Sequence, residues 1–222
     1  MPRSENHRTT RSCSRARSDP ANKRRKVNWN DTMRRICDVV GSLLLLLITL
    51  PALLIVACLI KLDSRGPVLY RQHRVGLHGR VFSLLKFRSM RVDAEAAGPC
   101  WAIERDPRVT RLGAFLRATR LDETPQLLNV LFGQMSLVGP RPERPHFAEQ
   151  LSRVIPRYDE RTKVPPGITG WAQVNYPYGA SVEDARAKLT FDLFYIENRT
   201  LLLDLRILLA TVPVVLFCKG AR

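Results

Sequence analysis

The sequence predicts an α-rich α/β protein held at a membrane, and three observations lead there. Residues 39–60, VVGSLLLLLITLPALLIVACLI, carry no formal charge over 22 positions. At ~1.5 Å rise per residue, a helix of that length roughly covers a ~30 Å hydrocarbon layer. Residues 66–90 alternate short β-prone runs with Gly76 and Gly79, as a hairpin does. Beyond residue 110 the apolar spacing turns helical in several stretches.

Composition bounds the remaining possibilities. A chain of 222 residues suits one domain with appendages. Hydrophobic residues make up 45%, so the whole chain is not disordered, and only 12 glycines exclude a collagen-like fibre. Cys13, Cys37, Cys58, Cys100 and Cys218 are scattered without metal-ligand spacing, so neither a zinc site nor a disulfide framework is expected. The net charge of +16 asks for an anionic partner: nucleic acid, lipid headgroups or a phosphorylated substrate.

Taken in order, residues 1–32 read as a disordered basic tail, poor in apolar periodicity. Up to Arg35 the chain holds 11 Lys and Arg against three acids, a net +8 and half the total. Residues 33–62 form the membrane helix. Five consecutive leucines from Leu43 to Leu47 leave no polar face for a soluble core helix, and no small-residue cleavage site marks a signal peptide. Both flanks are basic, with Arg34 and Arg35 before and Lys61, Arg65, Arg71, Arg74 and Arg80 after, so the positive-inside rule does not orient it. Pro51 near its middle removes one backbone hydrogen bond. A re-entrant hairpin and a straight, kinked span both satisfy these residues.

Residues 63–222 form the soluble part. After the hairpin, residues 110–133 show helical patterning, 135–138 form a short apolar run, and Pro140-Arg141-Pro142 closes it. Pro165-Pro166-Gly167 predicts a turn, and residues 180–198 an amphipathic helix. Residues 201–217 are apolar but interrupted by Asp204, Arg206 and Pro213, which fits an interfacial helix rather than a second span.

Three groups of residues could carry chemistry. Asp122 and Glu123 are adjacent carboxylates, able to act as nucleophile, general base or hard ligand for Mg²⁺; by themselves, such a pair ordinarily complements a helix dipole. Lys86, Arg88, Arg117 and Arg141 are cations in short, stiff contexts, Arg141 being clamped between two prolines. Guanidinium groups bind phosphate through paired planar donors, although each arginine alone could be a surface ion pair. The run from Pro166 to Asn175 has two glycines and Trp171, which a packed turn with a core tryptophan also explains. A carboxylate attacking a diphosphate meets like charge and needs Arg or Mg²⁺ to neutralise it.

At these residues the chain resembles the bacterial sugar transferase family, the monotopic phosphoglycosyl transferases. The resemblance runs from about Met33 to Arg222 through an ordered series of motifs. It includes Gly66-Pro67, Tyr70-Arg71-Gln72, Arg74-Val75-Gly76, Lys86-Phe87-Arg88-Ser89-Met90, Asp106-Pro107-Arg108-Val109-Thr110, Leu121-Asp122-Glu123, Gln126, Met135 to Pro142 and Pro166 to Asn175. It implies a re-entrant hydrophobic helix hairpin in the bacterial inner membrane. It also implies a compact cytosolic catalytic domain with amphipathic interfacial helices and a small β-hairpin. It further implies that Asp122 attacks the sugar-bearing phosphate of a UDP-sugar, releasing UMP, and that undecaprenyl phosphate then takes the phosphosugar. Mg²⁺ would contact Asp122, Glu123 would assist as a base or orienting group, and Lys86, Arg88, Arg117, Gln126 and Arg141 would handle the substrate. Where many members read Asn-Gly-Arg, this chain has Asn175-Tyr176-Pro177-Tyr178-Gly179 and lacks the arginine of that motif. That version and the Gly220-Ala221-Arg222 ending resemble the exopolysaccharide-associated branch. Larger members carry spans before this part, so the chain is expected to be either a short form or a fragment.

Two rivals remain: a nucleic-acid-binding protein using the tail, and a non-catalytic polybasic scaffold on anionic membrane lipids. Neither needs paired acids among fixed cations, so nucleic acid is not the expected partner. The residues do not separate one UDP-sugar from another, and they leave the oligomeric state open.

Overall fold

A computed structural model of the chain describes residues 29–94, 106–177 and 181–216, with Gly98 and Gly179. The expected basic tail up to residue 28, together with Cys13, Cys100, Cys218 and the 220–222 ending, lies outside the described residues. Cys37 and Cys58 are free thiols.

The first element, α1 (Trp29–Asp63), starts four residues before the expected boundary. Asp31 explains the extension, since an acid in the first turn complements the positive helix end and here also meets Arg199 at 3.1 Å. No turn interrupts α1 at Pro51. Its buried residues Arg34, Asp38, Ser42, Leu53, Val56 and Ile60 fall on one stripe, and none between Ser42 and Leu53 is buried. The helix is long and apolar enough to cross a membrane.

The expected hairpin is β1 (Leu69–Val75) against β2 (Val81–Phe87), antiparallel from Leu69↔Phe87 to Val75↔Val81. Its tip takes the positive φ of 77° at Gly79, which glycine adopts without penalty. The stretch expected to be helical over 110–133 is broken instead. It gives α2 (Arg111–Ala118), a 3₁₀ turn at Leu121–Glu123 and α3 (Gln126–Leu131). Arg120 sits in the left-handed region at φ 59°, and Pro125 has no N–H to continue a ladder.

A second sheet was not expected. β3 (Ser136–Val138) pairs in parallel with β4 (Gly167–Thr169), so the predicted turn at Pro165-Pro166-Gly167 leads into a strand. Glycine is required there, because a Cβ on Gly167 would lie 2.1 Å from the Gly139 nitrogen. The helices α4 (Pro145–Val154), α5 (Trp171–Asn175), α6 (Val182–Glu197) and α7 (Leu201–Leu216) complete the chain, with a further 3₁₀ segment at Tyr158–Lys163. Ser181 and Asp184 cap α6 reciprocally.

Four apolar clusters join these elements. Leu53, Val56 and Ile60 of α1 meet Phe87 and Leu116. Val138, Val164, Tyr195 and Ile207 join β3, α6 and α7. Leu151, Ile155, Tyr158 and Leu189 link α4 to α6. Leu84, Val130 and Met135 fasten α3 beneath the hairpin. The protein is thus helix-rich with two small sheets.

Candidate active site

The carboxylate pair stands on the 3₁₀ turn between α2 and α3, and a buried amide sets its height against the hairpin. Asn129 of α3 accepts from the Leu85 N–H at 2.9 Å and donates to the Ser83 carbonyl at 2.8 Å. That completes the free edge of β2 on either side of Leu84 and leaves Lys86 one residue further along, beside the turn. Lys86 Nζ then meets Glu123 Oε1 at 2.9 Å. Arg141 closes on the same carboxylate, its Nη2 reaching Oε1 and its Nη1 lying 3.3 Å from Oε2. Glu123 is therefore gripped by two cations.

Asp122 is treated differently by its surroundings. It is 7% exposed, yet among the described residues no cation closes an ion pair with it. Burial raises its pKa above the usual aspartate value, opposed by Lys86, Arg117 and Arg141 nearby. Glu123 goes the other way. Burial alone would raise it, but Arg141 and Lys86 hold it well below its usual range. Lys86 is itself lowered by burial, and Glu123 raises Arg141. The two neighbours thus divide into an ionised anchor and an unpaired, more basic carboxylate.

Arg117 belongs to the site's edge. Its Nε donates to Ser89 Oγ at 2.9 Å, and its charge is felt by both Asp122 and Asp106. The helix that carries it sits tight: a Cβ on Gly113 would lie 1.9 Å from the Ser89 carbonyl oxygen. Gln126, first residue of α3, is wholly buried, and its Nε2 has no hydrogen-bond partner among the described residues.

Arg88 is not brought to the pair. Its guanidinium donates to the carbonyls of Ser64 at 2.7 Å, Arg65 at 2.9 Å and Ile60 at 3.4 Å, and to Ser64 Oγ at 3.0 Å. All of these lie at the C-terminal end of α1 or just beyond it, where orphan carbonyls and the negative dipole end favour a cation. Arg88 was expected to handle substrate; here its guanidinium closes the C-terminal end of α1.

Arg161 and Asp192 were missed by sequence reasoning, although a signal existed. Asp192 shares the buried stripe of α6 with Leu189 and Tyr195, a charged residue where spacing calls for an apolar one. Its partner Arg161 lies 31 residues away, and no local pattern connects them.

Among the described residues, no three His, Cys, Asp or Glu side chains gather as a metal cage. The free carboxylate of Asp122 still fits Mg²⁺, which is commonly held by one or two carboxylates with substrate phosphates completing its shell.

Known proteins bear on this arrangement. The sequence pattern that defines bacterial sugar transferases matches residues 29–218. A protein of Aeromonas hydrophila named UDP-N-acetylgalactosamine-undecaprenyl-phosphate N-acetylgalactosaminephosphotransferase is 45% identical over 190 residues, covering 86% of this chain and 45% of its own. The UDP-glucose:undecaprenyl-phosphate glucose-1-phosphate transferase of Escherichia coli (strain K12) is 44% identical over 185 residues, 82% of this chain and 40% of its own. The exopolysaccharide production protein PSS of Rhizobium leguminosarum bv. phaseoli is 43% identical over 186 residues, 81% of this chain and 93% of its own. The chain thus spans less than half of the first two and nearly all of the third.

Proposed function

Because the chain belongs to the bacterial sugar transferase family, we propose that it transfers a sugar phosphate from a UDP-sugar to undecaprenyl phosphate at a membrane surface. The observation that carries this reading is the unequal pair, Asp122 unpaired and Glu123 gripped by Lys86 and Arg141. A nucleophile must have a free lone pair, and Asp122 has one. The cations that Glu123 holds are arranged in advance beside it, where a diphosphate brings negative charge.

In this mechanism an Asp122 oxygen attacks the sugar-bearing phosphorus of the UDP-sugar. The bond from that phosphorus to the bridging oxygen breaks, and UMP leaves with the electron pair. Lys86, Arg117 and Arg141 take up the charge that develops on the phosphoryl oxygens. An oxygen of undecaprenyl phosphate then attacks the same phosphorus, the Asp122 oxygen departs, and the carboxylate is restored. Glu123 keeps Lys86 and Arg141 in place through both steps. A Mg²⁺ held by Asp122 and the diphosphate would supply further charge neutralisation. The relatives named above act on UDP-glucose or UDP-N-acetylgalactosamine by their names, and those are the donors to test first.

The lipid acceptor requires the site to lie at a bilayer, and α1 supports an anchor that enters and returns. Its N-terminal end is fastened through Arg34 to Asp204, Arg35 to the Val130 and Leu131 carbonyls, and Asp38 to Ser136 and Leu137. Its other end is fastened by Arg88 to the same body. Between them Leu43, Leu44, Leu45, Leu47, Ile48 and Leu50 are exposed. Pro51 lies on the exposed side, where its ring presses on the preceding turn and favours a bend with that side convex. Both ends then share the cytoplasmic face of the inner membrane with the site. Exposed Leu202, Leu205, Leu209 and Val212 of α7 fit the expected interfacial helix, and anionic lipids are the partner for the basic tail.

The test is UMP release from UDP-glucose or UDP-N-acetylgalactosamine by membranes carrying Asp122→Asn. Loss of release, with Asp122 recovered as a phosphosugar adduct in the unaltered chain before acceptor is added, is expected. Full turnover by Asp122→Asn would remove the nucleophile.

A further inference from the structure

The segment that carries Arg141 has no regular structure, yet four consecutive carbonyls in it are each held by a different donor. Pro140 accepts from the Gly167 N–H at 3.0 Å, Arg141 from Arg161 Nη2 at 2.9 Å, Pro142 from Arg74 Nη1 at 2.9 Å, and Glu143 from the Val75 N–H at 2.8 Å. Two prolines leave the segment with few N–H groups of its own, so its shape depends on these incoming donors.

Arg161 is the most committed of them. Its Nη2 lies 2.9 Å and its Nε 3.1 Å from Asp192 Oδ2, its Nη1 donates to Tyr158 Oη at 2.7 Å, and its guanidinium stands 5.0 Å from the Tyr158 ring centre. The side chain of Asp192 is 3% exposed and that of Arg161 12%. A buried ion pair of this kind is a weak source of stability, because desolvation offsets most of its attraction. It does fix geometry, since the guanidinium fork has only one orientation that satisfies Asp192, Tyr158 and the Arg141 carbonyl together.

We infer that Arg161, oriented by Asp192 and Tyr158, is a positioning residue that sets the backbone at Arg141 so that its guanidinium meets Glu123 beside Asp122. The inference rests on the proposed role of that pair and adds a layer behind it. Arg161 does not touch the carboxylates; it acts through Arg141. Disturbing it loosens Arg141, and the charge that Arg141 places beside both carboxylates is then misplaced. The other groups facing them are Lys86 from β2, Arg117 from α2 and Arg74 from β1, with Glu143 and Lys188 acting electrostatically on the cations around Arg141. Those groups remain, so the change is partial rather than total.

The experiment compares Asp192→Asn and Tyr158→Phe with the unaltered full chain in native membranes, measuring UMP release from UDP-glucose or UDP-N-acetylgalactosamine per folded molecule over a series of donor concentrations. Asp192→Asn keeps the shape of the side chain and removes the charge that orients Arg161. Tyr158→Phe leaves the buried ion pair intact and removes one acceptor, which keeps the test open should the first variant not accumulate. A fall in kcat of about 10- to 100-fold is expected for Asp192→Asn, the usual cost of misplacing a catalytic group by a fraction of its reach. Tyr158→Phe should lose less. In both, kcat should fall while KM for the UDP-sugar stays near its unaltered value. A purely structural role would lower the amount of folded protein and leave kcat per folded molecule where it was; an unchanged kcat in both variants, or a rise in KM alone, overturns the inference. Activity surviving in Asp122→Asn would instead overturn the underlying role of the pair, so the two failures are distinct.

Discussion

Replacing Arg88 by Ala separates a phosphate-binding arginine from one that closes a helix. The guanidinium serves three carbonyls and one hydroxyl around the end of α1, with the backbone N–H of Arg88 itself bonded to the Val68 carbonyl at 2.9 Å. It also fills the space over Gly66, where a Cβ would come within 2.1 Å of Nη1. Hydrogen bonds to charged donors contribute roughly 1.5–3 kcal/mol each, but water reaches part of the vacated site, so a net loss of about 3 kcal/mol is expected. For a chain of this size that corresponds to a fall in Tm of roughly 6–12 °C, read by thermal unfolding of the detergent-solubilised protein. On the proposed function, the KM for UDP-sugar should stay where it is, since the Arg88 guanidinium is engaged at the end of α1. Arg88→Lys should fall between, because a single ammonium cannot serve all the acceptors of the fork. A phosphate contact predicts the reverse: KM raised roughly tenfold or more for each 1.4 kcal/mol lost, with little change in Tm. A tenfold KM effect at unchanged Tm would refute the reasoning.

Further outcomes follow from the same packing. Gly113→Ala should push α2 off the Ser89 backbone, which a Cβ would meet at 1.9 Å; UMP release should fall together with Tm, because the displaced helix carries Arg117. In unaltered protein, the rate of UMP release should decline with acid at a pH above the usual aspartate range, since burial raises Asp122 and the proposed nucleophile must be ionised; a profile flat down to pH ~4, near the aspartate reference value, would contradict this. Asp106 is pulled down to about 2 by its hydrogen bonds to Arg108. A depressed acid contributes stability that is present above its unfolded pKa and lost as pH falls towards 2. Asp106→Asn should therefore be less stable than the unaltered chain at neutral pH and converge with it on acidification, as followed by thermal scans over pH.

The elements that were legible in the sequence are those specified by local pattern. The uncharged run announced α1, Gly76 and Gly79 announced the hairpin, and the amphipathic stretch over 180–198 announced α6. The parallel pair of β3 and β4 was not legible, because its strands are three residues long and 31 apart, and what permits it is the absence of side chains at Gly139 and Gly167. Within the site, motif context singled out Asp122, Glu123, Lys86, Arg117 and Arg141, but residue type alone did not tell a substrate cation from a structural one. Arg88 and Arg141 look equally suited to phosphate in sequence. Only the acceptors around them differ: backbone carbonyls for one, a carboxylate beside a free carboxylate for the other.

That difference also explains why two adjacent, chemically similar acids can hold opposite roles. An aspartate and a glutamate in consecutive positions start with nearly the same acidity, and they share one turn. What separates them is reach. The longer Glu123 side chain extends to Lys86 and Arg141, which come from the end of a strand and from a proline-bounded loop 37 and 18 residues away. Asp122 stops short of ion-pair distance and keeps the desolvation with only the more distant pull of Lys86, Arg117 and Arg141 against it. Exchanging the two residues would leave composition, charge and turn unchanged while placing the shorter acid among the cations and the longer one at the open position. The swap Asp122→Glu with Glu123→Asp should therefore lose UMP release with little loss of net charge or fold. Recovered activity in that double variant would mean that reach does not divide the pair.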